Sequence, residues 1–290
     1  LTDQADTFTA FGNSAVTVDA GAGDDTIREG NGDNLIDGGE GSDRFIIGFG
    51  NSTIAGGEDG DGSDVDILSA FEANDGITVI FDGTEQGNYT DNSDTDSGTF
   101  SGIERVIGSN QADTIDASLD NSAGLSLVGA GGDDVVTGGS GDDVITGDMG
   151  ADTLTGGAGG DVLLGDEGDD VIDGGAGADF IEGGTGNDLL TGGDGDDFFS
   201  YTVGDGLDTI TDFNAGNTGT LNDGNNTNND FIDLSAFYDN IAELQDDYDD
   251  DGVLNQSNAG NIVGGQVVDY SDITSFDTDG IADNEGIAFV

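Results

Sequence analysis

Aspartate recurs at every ninth position between Gly129 and Ser200. The eight residues are Asp134, Asp143, Asp152, Asp161, Asp170, Asp179, Asp188 and Asp197. Carboxylates are hard oxygen ligands, and together with carbonyl oxygens they favour Ca²⁺ over softer metals. The spacing therefore predicts several calcium ions bound along one regular structure.

Each of these aspartates is the sixth residue of a nine-residue unit, and the eight units follow one another without insertion. Glycine always occupies the fourth position, and a large apolar residue always occupies the eighth. The glycine-rich first six residues favour a turn with positive φ, and the last three favour a short strand. Two units then complete one coil, so two parallel sheets face each other across the residues at the eighth position.

The interior of such a coil is one side chain thick, which is too thin to offset a backbone entropy of about 1–2 kcal/mol per residue. Aspartates eighteen residues apart lie on adjacent coils, about 4.8 Å apart, and without a cation these like charges oppose folding. We therefore expect Ca²⁺ between aspartate pairs. The predicted pairs are Asp134–Asp152, Asp143–Asp161, Asp152–Asp170, Asp161–Asp179, Asp170–Asp188, Asp179–Asp197 and, after a two-residue slip, Asp188–Asp208.

Glycines of the turns are expected to add carbonyl ligands to these ions. They are Gly139, Gly141, Gly157, Gly159, Gly175, Gly177, Gly184, Gly186, Gly193 and Gly195. The alternative is an array of acidic loops that are simply solvated.

The repeat resembles the G-G-x-G-x-D-x-U-x motif of the repeats-in-toxin (RTX) family. Four less regular units between Ala20 and Ala55 keep the same phase, with a predicted calcium pair at Asp25 and Asp43. The opposite edge of this block carries Asn34 and Ser52, so we expect weak binding or none there. The resemblance implies an all-β fold, a calcium-stabilised parallel β-roll in two repeat blocks, with a β-rich spacer and a small C-terminal cap containing one helix.

Four regions are expected along the chain. Residues 1–57 are a first, degenerate block with an N-terminal cap, and residues 58–106 are a spacer of β-strands. Residues 107–213 are the main roll, and residues 214–290 are a C-terminal cap that resembles the end of RTX proteins exported by type I secretion. The leader QADTFTA at Gln4 is repeated as QADTIDA at Gln111, which suggests that each block opens with a capping segment.

The C-terminal region contains one helix candidate and one loop that resembles an EF-hand. The apolar residues of Asp233–Gln245 fall on one face at helical spacing. Asp247, Asp249 and Asp251 match the opening of an EF-hand loop, but Asn258 stands where the motif has a bidentate Glu. Either a bound calcium ion or a solvated acidic turn fits these residues.

Composition excludes several functions. The net charge is −60, from 63 acidic residues and three basic ones, which makes nucleic acid and anionic membranes poor partners. There is no Cys and no His, so disulfides, a Ser-His-Asp triad and a His-ligated zinc are excluded within this chain. No apolar run is long enough for a membrane helix. The chain opens on Leu1 without a signal peptide, so we expect a processed product or a fragment.

The outward positions of one sheet form an apolar stripe from Val144 to Phe198, through Val162, Leu164 and Phe180. We expect the C-terminal region, through the 234–244 helix or the final strand, to cover it; the alternative is a second copy of the chain.

The leading interpretation is a non-catalytic, secreted, calcium-binding RTX region that is unfolded without Ca²⁺. The alternative is a self-assembling cell-surface protein, forming a surface layer, a filament or an adhesin. Ice binding and an enzyme are disfavoured, because the turns lack a regular Thr/Asn ladder and no carboxylate pair stands apart from the calcium ladder.

Overall fold

The computed structural model describes residues 3–48, 50–57, 64–73, 75–92, 97–201 and 205–212, and the backbone of four later strands. Every regular element in these residues is a β-strand. Nearly all strands belong to two large sheets, so the all-β prediction is confirmed for the described part of the chain.

Strands of the first sheet come from alternate turns of the chain. In spatial order its eleven strands are β1 (Thr7–Thr9), β3 (Thr26–Arg28), β5 (Arg44–Ile46), β7 (Ile67–Ser69), β11 (Arg105–Ile107), β13 (Ser126–Gly131), β15 (Val144–Met149), β17 (Val162–Glu167), β19 (Phe180–Thr185), β21 (Phe198–Ser200) and β23 (Phe231–Asp233). All neighbours in this sheet are parallel.

The second sheet takes the intervening strands. Its thirteen strands are, in spatial order, β2 (Thr17–Ala22), β4 (Leu35–Glu40), β6 (Thr53–Ala55), β10 (Ser97–Ser101), β9 (Gln86–Asp91), β8 (Ile77–Gly83), β12 (Thr114–Asp116), β14 (Val135–Thr137), β16 (Thr153–Ala158), β18 (Val171–Ala176), β20 (Leu189–Asp194), β22 (Leu207–Ile210) and β26 (Gly286–Phe289). A separate antiparallel pair consists of β24 (Asn261–Val263) and β25 (Gln266–Val268). The two large sheets make a parallel β-solenoid.

The residues at the eighth position of each unit form the core. In the main block, Val136 is in register with Leu154, and Ile145 with Leu163. Each of these side chains is fully buried, whereas the flanking strand residues point outward. The stacked core residues are Ile27, Ile36, Phe45, Ile54, Leu68, Val106, Ile115, Leu127, Val136, Ile145, Leu154, Leu163, Ile172, Ile181, Leu190, Phe199 and Ile210. One apolar side chain per half-coil thus fills the interior, as the repeat predicts.

The sheets run without a break through the spacer. β7 and β11 connect β5 to β13 in the first sheet, by parallel pairing on both sides. In the second sheet, β8, β9 and β10 form an antiparallel meander between β6 and β12. Its core includes Phe81 and Phe100, whose rings meet edge to face at 5.0 Å. Four strands, β7 to β10, lie within residues 58–106, the region where the sequence predicts a spacer of β-strands.

The end of the solenoid is made by strands that come late in the chain. β23 pairs with β21, so that Phe231 is in register with Phe198. β26 pairs with β22 and extends the second sheet in its own plane. The final strand therefore does not cover the apolar stripe, which lies on the first sheet, and this part of the prediction is wrong because the free edge of β22 offers backbone hydrogen bonds.

Two predicted features of the C-terminal region cannot be compared with the structure. The predicted helix begins at Asp233, which is the last residue of β23, and its remaining residues lie outside the described part of the chain. The EF-hand-like loop with Asp247, Asp249 and Asp251 also lies outside it. Within the described residues, no helix is both long and apolar enough to span a bilayer.

Candidate metal centre

A ladder of aspartates follows each edge of the solenoid. The backbone N–H of Asp134 donates to Oδ1 of Asp152 at 2.8 Å, and that of Asp152 donates to Oδ1 of Asp170 at 2.7 Å. On the other edge, Asp143 donates in the same way to Asp161 at 2.8 Å. The same bond joins Asp25 to Asp43, Asp161 to Asp179, Asp170 to Asp188, Asp179 to Asp197 and Asp188 to Asp208. Every predicted pair is thus brought together, including the pair after the two-residue slip.

The second carboxylate oxygen of most ladder aspartates is buried without a hydrogen-bond partner. These Oδ2 atoms belong to Asp25, Asp43, Asp134, Asp152, Asp161, Asp170, Asp179 and Asp188. Each of these residues is at most 2% exposed. Buried polar atoms are almost always hydrogen-bonded, and an unpaired buried charge costs several kcal/mol, roughly. The repetition of such unpaired buried oxygens along the ladder indicates a bound ligand that is not part of the protein chain.

Glycine at the first position of each unit in Gly129–Ser200 forms a cradle beside the Oδ2 atom of the ladder aspartate. A methyl group on Gly156 would lie closer than 3.0 Å to both Asp161 Oδ2 and the carbonyl oxygen of Gly174 on the next coil. Gly165 has the same relation to Asp170 Oδ2 and the Gly183 carbonyl. The cradle therefore brings one carboxylate oxygen and one carbonyl oxygen to the same place.

The oxygens of the cradle fit a calcium ion. No group of three or more acidic side chains surrounds one point in the described residues. A cation held here would instead bind one carboxylate from a coil together with backbone carbonyls of the turns. Hard oxygen donors without nitrogen or sulfur favour Ca²⁺, which accepts flexible coordination.

Burial raises the pKa of the ladder carboxyls. Loss of solvation is the largest cause, with smaller contributions from neighbouring carboxylates. The pKa of Asp134 is raised to about 8, that of Asp170 and Asp179 to about 7, and that of Asp43 and Asp161 to about 6. Burial also raises the pKa of Asp143 and Asp152, and of the hydrogen-bonded pair Asp188 and Asp208. The protein alone thus disfavours ionised carboxylates at these positions.

The turn at Asp143 differs from the others. Its Oδ2 atom accepts a hydrogen bond from the backbone N–H of Gly139 at 2.6 Å. The carbonyl of Gly139 accepts from Ala158 N–H, and neither Gly139 nor Gly141 has positive φ. The turn therefore already supplies one hydrogen-bond donor to the Asp143 carboxylate, and calcium binding by the Gly139 carbonyl stays a prediction.

The remaining predicted glycines have the turn geometry that the repeat requires. Gly157, Gly159, Gly175, Gly177, Gly184, Gly186, Gly193 and Gly195 all adopt positive φ. Each packs closely on the turn eighteen residues earlier; for example, a methyl group on Gly175 would clash with the Gly157 carbonyl. The first-position glycines, whose carbonyls line the cradles, were not predicted from the sequence as part of the site. The sequence does contain a pattern that could have identified these glycines, because the first residue of all eight units in Gly129–Ser200 is glycine.

The Asn34 edge holds a carboxylate that the sequence analysis also missed. Asn34 N–H donates to Ser52 Oγ at 3.2 Å, so this edge lacks the aspartate ladder as predicted. Glu29 occupies the first position of this unit and is buried. Its Oε2 atom accepts hydrogen bonds from Gly48 N–H at 3.2 Å and from the Tyr89 hydroxyl at 3.3 Å, and burial raises its pKa.

The capping leader of the main block also contains a buried carboxylate, but the protein satisfies it. Asp113 accepts hydrogen bonds from Ile77 N–H at 2.7 Å, from Ser109 N–H at 2.5 Å and from the Ser109 hydroxyl at 3.0 Å. The next coil is held by Asp113 N–H, which donates to Asp134 Oδ1 at 2.7 Å. Both carboxylate oxygens of Asp113 thus accept hydrogen bonds from the protein itself.

Comparison with known proteins supports the assignment of the repeats. The family described as RTX calcium-binding nonapeptide repeat (4 copies) matches residues 12–45, 19–54, 128–163, 146–181, 164–199 and 174–210. The extracellular lipase LipA from Serratia marcescens aligns over 76% of this chain and 33% of its own, with 19% identity and a TM-score of 0.29. This chain thus spans about a third of that lipase's length. No curated protein matches the chain. Residues 12–54 and 128–210 of this chain are RTX calcium-binding nonapeptide repeats.

Proposed function

We propose that this chain is a non-catalytic, calcium-binding region of an exported bacterial protein, which folds when it meets extracellular Ca²⁺. The observation that carries the proposal is the row of buried Oδ2 atoms without partners on both edges of the solenoid. Those of Asp43, Asp134, Asp152, Asp161, Asp170 and Asp179 lie in a glycine cradle beside a carbonyl oxygen of the next coil. The family match to the same residues supports calcium as the ligand.

Calcium bound in the cradles supplies the positive charge that the buried carboxylates lack. The ligands would be the unpaired Oδ2 atoms of the ladder aspartates named above, and carbonyls of the turn glycines. The Oδ1 atoms stay in the backbone ladder and fix the distance between coils. Glycine at the first position keeps the cradle open, because any side chain there would occupy it.

The charge of the chain couples this binding to export. With a net charge of −60, the metal-free chain repels itself and remains unfolded where Ca²⁺ is scarce, as in cytosol. A ligand that binds only the folded state stabilises it in proportion to the logarithm of its free concentration. Millimolar extracellular Ca²⁺ would then fold the chain after passage through a type I secretion machinery, which requires an unfolded substrate.

Circular dichroism in chelator and in Ca²⁺ tests this function. We expect the β-sheet signal to be lost in excess chelator and recovered in millimolar Ca²⁺. A chain with equal β-sheet content in both buffers would contradict the proposal. Addition of Mg²⁺ is the matched control, since Mg²⁺ demands stricter octahedral geometry and gives up water reluctantly.

A second candidate function rests on the apolar stripe. Val144 is 43% exposed and Phe198 is 37% exposed on the outer face of the first sheet. The ring of Phe198 stacks on Phe180 at 5.6 Å, so the stripe is an ordered flat surface. Such a surface suits self-association into a cell-surface layer, filament or adhesin. Light scattering in Ca²⁺ separates the two functions: growth of particles in the unaltered chain, but not in Val144→Ser/Phe198→Ser, would favour assembly.

A further inference from the structure

One carboxylate outside the matched repeats has the same environment as the ladder aspartates. Asp66 precedes β7, is fully buried, and its Oδ2 atom has no hydrogen-bond partner. Its Oδ1 atom accepts a hydrogen bond from the backbone N–H of Asp43 at 2.7 Å. Asp66 therefore extends the ladder of Asp25 and Asp43 into the spacer, where the family match has already ended.

The turn beside Asp66 has the oxygen arrangement of the repeat cradles. A methyl group on Gly56 would lie closer than 3.0 Å to both Asp66 Oδ2 and the carbonyl oxygen of Gly102. Gly156 has the equivalent neighbours in the main block, a ladder Oδ2 and the carbonyl of a first-position glycine. Gly56 N–H donates to the Ser101 carbonyl at 2.8 Å, which places the Gly102 coil directly beside it.

An insertion conceals this unit in the sequence. Asp66 follows Gly56 by ten positions, whereas Asp43 follows Gly38 by five. The turn has therefore gained five residues, but its ends keep the geometry of a nine-residue unit. On the next coil the turn is shortened, and Glu104 takes the ladder position: its Oε2 atom accepts a hydrogen bond from Asp66 N–H at 2.7 Å.

We infer that Asp66 Oδ2 and the Gly102 carbonyl oxygen bind a calcium ion in the spacer, at a site additional to those of the repeats. The inference rests on the proposed calcium binding by this fold. The ion neutralises a carboxylate that is buried beside Asp43 and Glu104, two other acidic residues. It joins the coils of β5, β7 and β11, which pair over only three residues each. Calcium thus connects the two repeat blocks across the break in their sequence pattern.

Counting bound calcium in variants of the full chain tests the site. We expect Asp66→Asn to bind one ion fewer than the unaltered chain, measured by equilibrium dialysis with elemental analysis. Asp82→Asn is the matched control, because it removes the same charge from an exposed position in β8 and should bind the full number. Equal counts for the unaltered chain and Asp66→Asn, or an equal loss in both variants, overturn the inference.

Hydrogen exchange of the unaltered chain gives a test that does not depend on how the variant folds. During a calcium titration, amides of residues 64–69 and 102–107 should gain protection, as those of residues 152–197 do. Protection in 152–197 without any in the two spacer segments defeats the spacer site and leaves the proposed function intact. No calcium-dependent protection in either region defeats both.

Discussion

At the residue scale, the same side chain has two separate roles in each turn. Oδ1 of Asp170 accepts a backbone hydrogen bond from Asp152, and Oδ2 lies in the cradle of Gly165. The first role needs only an acceptor, which an amide oxygen provides equally well. The second needs a charged oxygen, because an ion in the cradle must be bound without full hydration. Replacement by asparagine therefore separates the two roles.

We expect Asp170→Asn to keep the coil geometry and lose calcium affinity. At a calcium concentration near one hundred times the dissociation constant of a site, its loss lowers the free energy of unfolding by about 2.7 kcal/mol. Urea unfolding in saturating Ca²⁺ measures this difference.

The adjacent Asp169 provides the control for this substitution. It is exposed, and its Oδ1 atom accepts a hydrogen bond from Asn187 N–H at 2.8 Å. Asp169→Asn should change the free energy of unfolding by less than about 0.5 kcal/mol. Similar losses in both variants would show that general charge, and not the cradle, controls stability.

The raised pKa values predict a pH dependence for the metal-free chain. Burial raises the pKa of Asp134 to about 8 and that of Asp170 and Asp179 to about 7 in the fold, above an unfolded value of about 3.9. A raised pKa means that the fold takes up protons, so this stability is fully present below about pH 4 and is lost progressively as the pH rises to about 7 to 8. In chelator, β-sheet circular dichroism should therefore increase as the pH falls from about 8 to about 5.

The calcium-loaded chain should respond to pH in the opposite direction. Protons compete with Ca²⁺ for the same Oδ2 atoms. The apparent calcium affinity should therefore fall as the pH is lowered from about 8 to about 5. Calorimetric titration at several pH values measures this change. For the metal-free chain in chelator, the contradicting outcome is a loss of β-sheet on mild acidification. That result would show that the ladder carboxyls do not titrate in the fold.

Most of the residues that form the ladders could be predicted from sequence, because one aspartate per nine residues keeps its phase. The unpaired state of Oδ2 and the carbonyl of the first-position glycine could not, since both depend on the packing of one coil on the next. Gly139 illustrates the limit: its unit fits the motif, but the preceding leader gives its turn a different backbone conformation.

At the element scale, each turn is defined by glycines with different physical requirements. In the units from Gly147 to Ser200, glycines at the second and fourth positions have positive φ, as at Gly157 and Gly159. Asp148 and Asp166 occupy the second position in other units with φ near 70°, so that position tolerates a side chain. The first-position glycine has no such φ and is required for space alone.

The unit from Gly156 to Leu164 offers a matched pair of substitutions for this requirement. Gly156→Ala places a methyl group between Asp161 Oδ2 and the Gly174 carbonyl, so it should abolish calcium binding in that cradle and destabilise the coil. The methyl group of Gly160→Ala meets the Ala178 carbonyl at 3.2 Å and Asp142 Oδ1 at 3.8 Å, and other units carry alanine at this fifth position. It should be tolerated.

Calcium counting and thermal unfolding in Ca²⁺ would compare the two variants. Overpacking typically costs about 1–3 kcal/mol, so Gly156→Ala should lower the unfolding temperature clearly and bind at least one ion fewer. If Gly160→Ala is equally damaging, the cradle is not the sensitive part of the turn.

Insertions explain why the spacer was harder to predict than the blocks. The strand at Ile67–Ser69 belongs to a repeat unit, but its turn has five additional residues, which removes it from the nine-residue phase. The meander of β8, β9 and β10 is a larger insertion into the second sheet. The presence of strands in the spacer could be predicted from apolar residues in its sequence. The pairing of these strands with both repeat blocks could not, because it depends on backbone hydrogen bonds at the edges of the neighbouring strands.

At the scale of the whole molecule, the two repeat blocks form one continuous solenoid. The sheets cross both predicted boundaries of the spacer, at residues 57–58 and 106–107, without losing a strand. A stack of this kind is stabilised mainly by contacts between neighbouring coils, so ions between coils act on the whole array. The sequence contains 63 acidic residues and only three basic ones to offset their charge.

Two explanations of calcium-dependent folding can be separated at this scale. If Ca²⁺ only screened the repulsion of a chain with a net charge of −60, then 1 M NaCl would fold the chain equally well, because it reduces the Debye length to about 3 Å. If Ca²⁺ occupies the cradles, salt alone cannot satisfy the buried Oδ2 atoms. We therefore expect the chain in chelator and 1 M NaCl to remain expanded.

Small-angle X-ray scattering measures the outcome directly. An unfolded chain of 290 residues has a radius of gyration of about 60 Å, and the solenoid should be much smaller. We expect compaction in millimolar Ca²⁺ at low salt, and a radius close to the unfolded value in 1 M NaCl without Ca²⁺. Compaction by salt alone, with β-sheet circular dichroism, would place the cause in long-range repulsion. If Ca²⁺ compacts the chain and NaCl does not, the cause of folding is coordination of the cation by the oxygens of the turns.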